Sequence, residues 1–221
     1  MFSVMSMIDE KDDVEYYNEK SNYLYIKRFI DLLGALIGLI VLSPLFLIIC
    51  FAIKIEDPKG SAFFKQIRVG KNGSKFYMYK FRSMHVDAEA KLDGLLSQND
   101  VDTGLMFKMK NDPRVTNVGK FIRKTSLDEF PQLLNVLKGE MSLVGPRPPL
   151  PREVEQYSTH DKQRLKVSPG CTGLWQISGR NNVGFDKMVE LDLQYIESIS
   201  LMNDVKIIVK TVGVIFKGDA Y

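Results

Sequence analysis

The chain has 221 residues and a formal net charge of +3, too small an excess of positive charge to indicate a nucleic-acid-binding protein. Its two cysteines and two histidines are too few for a disulfide-based fold or a histidine-rich zinc site. The length is sufficient for a sizeable hydrophobic core, and the isolated cysteines indicate reduced thiols in a reducing compartment.

Residues 1–22 are rich in acidic and polar side chains, and we expect them to form a mobile tail. Their charge has the wrong sign for a secretory signal peptide. Lys27 and Arg28 then precede an apolar run from Leu32 to Ile53, which is about long enough to cross a bilayer as a helix. A transmembrane helix is therefore the first interpretation of this segment.

Two features of the apolar run favour a re-entrant hairpin over a spanning helix. Ser43 and Pro44 lie near its middle, where the proline removes a helical hydrogen bond and favours a sharp bend. Basic residues flank both ends, so the positive-inside rule places both ends in the cytoplasm. Arms of about ten residues would reach roughly half the hydrocarbon depth and return, and Ser43 could bond a carbonyl that the proline leaves free. On these residues alone, a kinked spanning helix stays open.

Two strands are predicted after the apolar run. Residues 62–70 and 75–84 have the composition of strands, and an Asn-Gly pair between them favours a hairpin turn with positive φ angles. Alternation along the second strand places Lys80 and Arg82 on one face. With Arg68 from the first strand, they form either an anion-binding site or a solvated basic surface.

Two adjacent carboxylates, Asp128 and Glu129, lie near the predicted start of a short helix that Gly139 ends. Ser126 and Glu129 match a capping box, whereas Pro131 prefers the first helical position, so the start is ambiguous. Either start places the carboxylates near a helix N-terminus, which favours ionised carboxylates and bound anions. Basic residues just before the pair would also hold Asp128 ionised. An ionised carboxylate can act as a nucleophile or bind Mg²⁺.

A rigid Pro-Arg-Pro loop, Pro146-Arg147-Pro148, follows this helix. The planar guanidinium of Arg147 can hold a phosphate through two hydrogen bonds, so the loop and the acidic pair together indicate phosphate chemistry. Each residue taken alone has a structural alternative: Glu129 caps a helix, Asp128 is solvated, and Arg147 pairs with a carboxylate.

The only tryptophan lies in a glycine-rich segment, residues 168–180. Closely spaced glycines let the backbone approach a ligand, and Trp175 could stack on a flat ring such as a nucleobase. A glycine turn beside a core tryptophan explains the same residues without a ligand, and the segment alone favours that interpretation.

Two helices are predicted near the C-terminus. Apolar side chains recur at helical spacing over residues 185–199, and residues 201–221 form an amphipathic helix with lysines opposite a wide apolar arc. Such a helix fits either a membrane interface or packing against the rest of the protein.

The motifs of the chain are, in order, Lys27-Arg-Phe-Ile-Asp31 before an apolar run with Ser43-Pro44, Lys80-Phe-Arg-Ser-Met84, Leu127-Asp-Glu129, Gly145-Pro-Arg-Pro148, Gly173-Leu-Trp-Gln176 with Gly179-Arg180, and Leu191-Asp192 with Tyr195. Together they resemble the monotopic phosphoglycosyl transferases, bacterial sugar transferases that start polysaccharide, capsule and glycoprotein glycan assembly on a polyprenyl phosphate. The resemblance covers about residues 27–221, and the order and spacing of the motifs make it highly specific.

The resemblance implies a cytosolic active site at the membrane surface, with a UDP-sugar taken from water and undecaprenyl phosphate from the bilayer. In the family, the aspartate of the acidic pair attacks the β-phosphate, UMP leaves, and the lipid phosphate displaces the phosphosugar-enzyme ester. Carried to this chain, Asp128 is the nucleophile, Glu129 is its metal-binding or orienting neighbour, and the pair is the expected Mg²⁺ site. Arg147, Lys80 and Arg82 become groups that bind substrate phosphate.

The resemblance also implies a nucleotide-sugar region whose residues have no individual roles assigned. These are Pro146, Pro148, Gly173, Trp175, Gln176, Arg180, Asp192 and Tyr195.

The expected fold is α+β and predominantly helical, in a monotopic membrane-associated protein at the cytoplasmic face of a bacterial membrane. Its expected parts are a mobile acidic tail (1–22), a re-entrant membrane hairpin (23–56), a cytosolic catalytic domain (57–200) and an amphipathic, interfacial C-terminal helix (201–221). The larger members carry additional N-terminal membrane spans, so the chain looks like the minimal form of the family. Downstream glycosyltransferases stay open as further partners, and no nucleic acid is expected.

Two rival functions account for many of the same residues. A non-catalytic, membrane-associated regulator would bind a nucleotide sugar without needing the intact acidic pair, and a nucleotide-sugar hydrolase would use water instead of lipid as acceptor. A polytopic sugar-phosphate transferase is excluded, because a single hydrophobic segment cannot build a many-helix site. The sequence does not rank glucose, galactose and N-acetylated sugars.

Overall fold

A computed structural model describes residues 10–88, 90–91, 94–95, 109, 112–179 and 184–216. Helices dominate this part of the chain and its strands form two separate two-stranded sheets, which agrees with the predicted α+β, predominantly helical class. The helices are α1 (Glu10–Glu56), α2 (Asn117–Lys124), α3 (Leu133–Lys138), α4 (Pro151–Val154), α5 (Thr159–Lys162), α6 (Leu174–Ile177), α7 (Phe185–Glu197) and α8 (Leu201–Phe216). The strands are β1 (Phe63–Val69), β2 (Lys75–Phe81), β3 (Ser142–Val144) and β4 (Gly170–Thr172), and short 3₁₀ helices occupy Lys71–Gly73, Leu127–Gln132 and Gln163–Lys166.

Helix α1 contains the apolar run of the chain. Its portion Asn22–Glu56 is long and apolar enough to cross a membrane. Residues 10–22, expected to belong to a mobile tail, form the start of the same helix. An acidic composition is also what the first turns of a helix favour, because the helix N-terminus carries partial positive charge. Residues 1–9 of the expected tail lie outside the described residues.

The helix continues through Pro44. A proline has no N–H to donate to the carbonyl four residues earlier, which here belongs to Ile40. The Ser43 hydroxyl donates to that carbonyl at 2.8 Å, as predicted. One helix therefore occupies the segment expected to form two hairpin arms, and the re-entrant turn stays a prediction.

Both flanks of the apolar run bond to the same body of the protein. Before the run, Arg28 donates to two carbonyls in the last turn of α3, at 2.7 and 3.2 Å. After it, the Glu56 carboxylate accepts from the first two N–H groups of α2, at 2.7 and 2.8 Å. Each contact pairs a charge with the helix end of opposite partial charge.

A largely buried polar cluster joins α1 to α7 and α8. The Lys27 ammonium lies 3.0 Å from Asp204 Oδ2 and 3.6 Å from Asp31 Oδ1. Asp204 also accepts hydrogen bonds from the hydroxyls of Tyr23 and Tyr195, each at 2.8 Å. Tyr195, predicted in the nucleotide-sugar region, thus holds three helices together through Asp204.

The β1–β2 hairpin is antiparallel and lies within the two predicted strands. Its turn contains Asn72 with φ 53° and Gly73 with φ 77°, the positive angles that the Asn-Gly pair predicts.

One face of this hairpin serves both the core and the positive charge of the chain. Arg68 pairs directly with Phe76 in the register, so the period of two places Arg68, Phe76, Met78 and Lys80 on one face. Phe76 and Met78 are buried in a cluster with Ala35 of α1. The face of the hairpin that packs into this cluster therefore also carries Arg68 and Lys80.

Helix α8 has a packed side and an exposed apolar side. Asp204 and Ile207 are buried, and the Thr211 hydroxyl lies 2.7 Å from that of Thr172 on β4. The exposed apolar residues are Met202, Val205, Val209 and Val212, at 49–65% exposure. Both sequence interpretations are thus met in part, since α8 packs on the domain and still presents apolar side chains suited to an interface. Residues 217–221 of the predicted helix lie outside the described residues.

The cluster around Asp204 gives a prediction about stability. Asp204→Asn leaves the Lys27 ammonium with less compensating charge in a mostly buried place, so we expect the free energy of unfolding to fall by roughly 3 kcal/mol. Chemical unfolding in detergent solution measures this. Glu190→Gln is the control, because Glu190 is exposed and pairs with His160 at the surface, and its effect should stay within about 0.5 kcal/mol. Equal effects of the two variants on the free energy of unfolding would contradict the stabilising role given to Asp204.

Candidate active site

The acidic pair lies in the 3₁₀ helix Leu127–Gln132, which we call the acidic turn, between α2 and α3. Ser126 adopts a left-handed conformation with φ 55° and makes no side-chain cap, because an N-cap needs an extended backbone. Pro131 lies inside the turn rather than at the first position of α3. The 3₁₀ helix does begin directly after Ser126, as the capping-box start predicts, but the box itself does not form, and Pro131 is not the first residue of α3.

Asp128 is only 8% exposed. Burial raises its pKa to about 6, with a further contribution from Glu129, while Lys80 and Arg123 act in the opposite direction. The basic neighbours favour the ionised form, as predicted, but the cost of burial exceeds their attraction, so the pKa of Asp128 is raised rather than lowered. At pH 7 the group is still mostly ionised, and it is more basic than an ordinary aspartate.

Glu129 behaves differently from its neighbour because it has a direct partner. The Lys80 ammonium donates to Glu129 Oε1 at 2.5 Å, joining β2 to the acidic turn. Burial would raise the pKa of Glu129, but Lys80, with smaller contributions from Arg68 and Arg147, holds it below its ordinary value. The two adjacent carboxyls therefore have pKa values shifted in opposite directions, which separates their chemical roles.

Arg147 is held by a carboxylate, as one sequence interpretation allowed. Its guanidinium lies 3.0 Å from Glu153 Oε2 and 3.4 Å from Oε1. Glu153 also accepts from the main-chain N–H of Leu150 at 2.8 Å and so fixes the start of α4. Although paired, Arg147 is close enough to lower the pKa of Glu129, which places its charge beside the acidic turn.

Arg68 contributes to the same positive region from β1. It is 8% exposed and donates to the Pro148 carbonyl at 2.9 Å and to Gln66 Oε1. Its charge also lowers the pKa of Glu129. The charges of Lys80, Arg68 and Arg147 therefore all act on Glu129 of the acidic turn.

Arg82, predicted to bind substrate phosphate, has a different partner. Its guanidinium donates to the Asp57 carbonyl at 2.5 Å and to the Asp57 carboxylate at 3.3 Å. It thus holds the turn that connects α1 to β1.

Asp192 forms a fully buried ion pair with Arg164 of the 3₁₀ helix Gln163–Lys166. Arg164 in turn donates to the Arg147 carbonyl at 3.3 Å and to the Tyr157 hydroxyl at 2.8 Å. Asp192, which the resemblance left without a role, is therefore connected to the Pro-Arg-Pro loop through one side chain.

The glycines of the predicted nucleotide-sugar region allow close backbone packing. A Cβ on Gly170 would lie 2.1 Å from the Gly145 nitrogen, and a Cβ on Gly173 would lie 2.3 Å from the Gly145 carbonyl oxygen. These contacts bring parallel strands β3 and β4 together directly before the Pro-Arg-Pro loop. At Gly173 the missing side chain thus makes room for another part of the backbone.

The other residues of the predicted nucleotide-sugar region lie in the Pro-Arg-Pro loop and around α6, apart from Arg180. Pro146 and Pro148 lie in the loop, and the Gln176 side chain lies beside Gly173. Trp175 is half-buried on α6, which packs against α7 and α8. Arg180 lies outside the described residues.

Three residues that shape the candidate site could not be singled out from the sequence. Glu153 and Arg164 sit in a segment that looks like an ordinary polar helix, and Arg68 looks like one charge on a hairpin surface. For Arg164 the sequence does offer an indirect signal in Asp192. An acidic residue between Leu191 and Tyr195 falls on the apolar face of α7 and so needs a buried partner of opposite charge.

The carboxylates fit a Mg²⁺ ion by chemistry and number. Within the described ranges, no group of three or more His, Cys, Asp and Glu side chains forms a protein-only metal cage. Mg²⁺ is commonly held by one or two carboxylates and completed by substrate phosphates and water, so Asp128 and Glu129 are an adequate protein share.

Comparisons with known proteins show which proteins the chain is similar to. The family model described as bacterial sugar transferase matches residues 22–218. The chain is 53% identical over 201 residues to galactosyl transferase CpsE of Streptococcus agalactiae, covering 90% of this chain and 44% of that protein. It is 44% identical over 203 residues to undecaprenyl-phosphate galactose phosphotransferase of Salmonella typhimurium (90% and 42%), and 39% identical over 202 residues to UDP-glucose:undecaprenyl-phosphate glucose-1-phosphate transferase of Xanthomonas campestris (87% and 39%). The chain thus spans about four-tenths of the length of these curated relatives.

The opposite pKa shifts of the acidic pair predict opposite effects of pH on stability, measured in metal-free buffer with EDTA. Between about pH 4 and 6 the unfolded chain ionises Asp128 while the folded protein keeps its proton, so this group lowers the wild-type stability as pH rises through its raised pKa. Asp128→Asn removes that loss, so its gain in free energy of unfolding over the wild type should grow from about pH 4 to about pH 6 and then level off, at up to about 3 kcal/mol.

Glu129→Gln is the matched control for this experiment. The lowered pKa of Glu129 stabilises the fold above its unfolded-state pKa and loses that effect as pH falls, so the variant should become less stable than wild type as pH rises. A pH-independent difference for either variant would contradict the assigned shift.

Proposed function

We propose that this chain, which belongs to the bacterial sugar transferase family, transfers a sugar-1-phosphate from a UDP-sugar to undecaprenyl phosphate at a membrane surface. The observation that carries the proposal is the buried Asp128 beside the Lys80–Glu129 ion pair, with Arg68 and Arg147 close enough to act on the same turn. Phosphoryl transfer needs positioned charge more than elaborate acid-base groups, and this cluster supplies it. The product would initiate exopolysaccharide, capsule or a related glycan.

In the proposed first half-reaction, an ionised oxygen of Asp128 attacks the β-phosphorus of the donor. The bond from this phosphorus to the oxygen that bridges to the α-phosphate breaks, UMP leaves with the electron pair, and an aspartyl phosphosugar ester remains. A pKa of about 6 supports this role, because the carboxyl is mostly ionised at pH 7 and remains more nucleophilic than an unperturbed aspartate.

In the second half-reaction, an oxygen of the lipid phosphate attacks the same phosphorus. The Asp128 carboxylate leaves and is regenerated, and a polyprenyl diphosphate sugar is released. Burial of Asp128 supports transfer over hydrolysis, because it restricts access of water to the ester.

The charged neighbours of Asp128 have distinct proposed roles. Lys80 holds Glu129 ionised and in place, and Arg147 binds phosphate oxygens of the donor. Asp128 and Glu129 would hold Mg²⁺, which when bound neutralises charge on the donor phosphates.

The proposed topology is a re-entrant membrane helix with the catalytic domain at the cytoplasmic face. It is supported by the bonds from Arg28 and Glu56, which tie both flanks of the apolar run to one body of the protein. A spanning helix would place these flanks on opposite sides of a bilayer. Basic residues at both ends of the run favour the cytoplasm for each.

A panel of UDP-sugars with undecaprenyl phosphate and Mg²⁺, scored by UMP released, tests the reaction. Galactose and glucose come first, because the names of the relatives specify these sugars. UMP that requires the lipid indicates transfer, whereas UMP released equally without lipid would indicate a hydrolase. Absence of UMP with every donor would favour a non-catalytic nucleotide-sugar-binding regulator.

Asp128→Asn should abolish transfer, because an amide cannot form the acyl phosphate. Intact-mass measurement after mixing enzyme with donor alone should show a phosphosugar adduct on the wild type and none on the variant. Glu190→Gln, which changes an exposed carboxylate, should retain the adduct. The nucleophile assignment fails if the adduct maps to another residue or if the donor reacts only after lipid is added.

Pro44→Ala should straighten α1 toward a spanning helix, because the alanine restores the hydrogen bond to the Ile40 carbonyl. A protease-protection assay on membranes, with tags at both termini, should then show one terminus becoming protected. If both termini of the variant remain accessible from the cytoplasm, the proline is not the sole determinant of topology.

A further inference from the structure

The Pro-Arg-Pro loop and the following Pro149 are held by their carbonyl groups. Prolines have no N–H, so three of these four residues cannot donate a main-chain hydrogen bond. All four carbonyls nevertheless accept one. Gly170 N donates to Pro146 at 2.8 Å and Val69 N to Pro149 at 2.9 Å, at the two ends of the segment.

The two middle carbonyls accept from buried arginines on opposite sides. Arg164, 1% exposed, donates to the Arg147 carbonyl at 3.3 Å. Arg68, 8% exposed, donates to the Pro148 carbonyl at 2.9 Å. The main chain of Arg147 is therefore fixed between two guanidinium groups, one from β1 and one from the 3₁₀ helix Gln163–Lys166.

Each arginine is itself fixed. The buried carboxylate of Asp192 and the Tyr157 hydroxyl hold Arg164, while Gln66 accepts from two nitrogens of Arg68. Burial raises the pKa of Asp192, and Arg164 is the main group that opposes this effect. The rigid, planar guanidinium group suits this arrangement, because one of its nitrogens can bond to Asp192 or Gln66 while another donates to a carbonyl of the loop.

Burying two arginine charges in this way lowers the stability of the fold, so a purely structural role explains the arrangement poorly. Arg68 donates its described hydrogen bonds to neutral oxygens, and burial followed by repulsion from Arg147 lowers its pKa. A main-chain donor could satisfy the Pro148 carbonyl without placing a charge there. The charge of Arg68 becomes less costly if the loop receives an anion, because an anion bound at Arg147 would offset the repulsion between the two guanidinium groups.

We propose that Arg68 and Arg164 are positioning residues that hold Arg147 ready for the donor's diphosphate, and that Asp192 acts by holding Arg164. This inference rests on the proposed function, because it takes Arg147 to be the phosphate-binding group. The arginines act through the main chain of the loop, while Glu153 orients the guanidinium of Arg147 from the other end.

A double-mutant cycle on the full chain in detergent tests the proposal, with dissociation constants of UDP and uridine measured by calorimetry in Mg²⁺ buffer. Arg164→Lys and Arg68→Lys keep the charge but lose the planar guanidinium with its several N–H donors. Each should weaken UDP binding about tenfold while leaving uridine binding unchanged. In an Arg147→Gln background, the same lysine substitutions should have little further effect, because the group they position is gone.

Arg114→Lys is the matched control, since Arg114 is also a buried arginine and forms its ion pair with Asp112. It should lower the melting temperature but change UDP binding less than twofold. Additive losses in the Arg147→Gln background, or equal losses for UDP and uridine, would overturn the proposal and leave Arg68 and Arg164 a structural role only.

The outcomes also separate this inference from the proposed function. If Arg147→Gln itself leaves UDP binding unchanged, the phosphate role of Arg147 fails, and this inference fails with it. If Arg147→Gln weakens UDP binding but the cycle is additive, only the inference fails. Should Arg164→Lys not fold, Arg68→Lys carries the same test from the opposite side of the loop.

Discussion

The ion pair between Lys80 and Glu129 is the contact on which the candidate site depends. It joins a strand of the hairpin to the acidic turn and gives one of the two adjacent carboxyls a fixed charge. The other, Asp128, is left to balance burial against the same lysine, and burial prevails. One lysine thus produces two unlike carboxyls from neighbouring positions, and groups with pKa values moved apart in this way can take different chemical roles.

The other positively charged side chains of the site are linked to one another through the Pro-Arg-Pro loop. Arg147 lies beside the acidic turn, Glu153 orients its side chain, and Arg68 and Arg164 hold its main chain. The order is consistent with preorganisation, in which the cost of assembling positive charge is met by folding before any substrate arrives. It also explains why charged side chains occur at buried positions where apolar ones would pack more favourably.

Local patterns in the sequence predicted local structure well. The Asn-Gly turn, the helix end at Gly139 and the hydroxyl bond of Ser43 each depend on a few neighbouring residues, and each is present. The acidic pair and the loop arginine were identified by residue type, but their surroundings come from segments far apart in the chain. The partner of Arg82 and the raised pKa of Asp128 depend on which surfaces become buried, and no local pattern specifies that. The predicted capping box also failed, because Ser126 is left-handed and its side chain makes no cap hydrogen bond, while Pro131 lies inside the turn instead of opening α3.

The shared face of the hairpin has a mechanical consequence. Phe76 and Met78 share a buried cluster with Ala35 of α1, and Lys80, on the same face of β2, bonds to Glu129, so one strand links the apolar helix to the acidic pair. If α1 lies in lipid as proposed, this strand sets the height of the acidic pair relative to the membrane surface. The lipid acceptor would then meet the proposed nucleophile, Asp128, at a height that the geometry of β2 fixes.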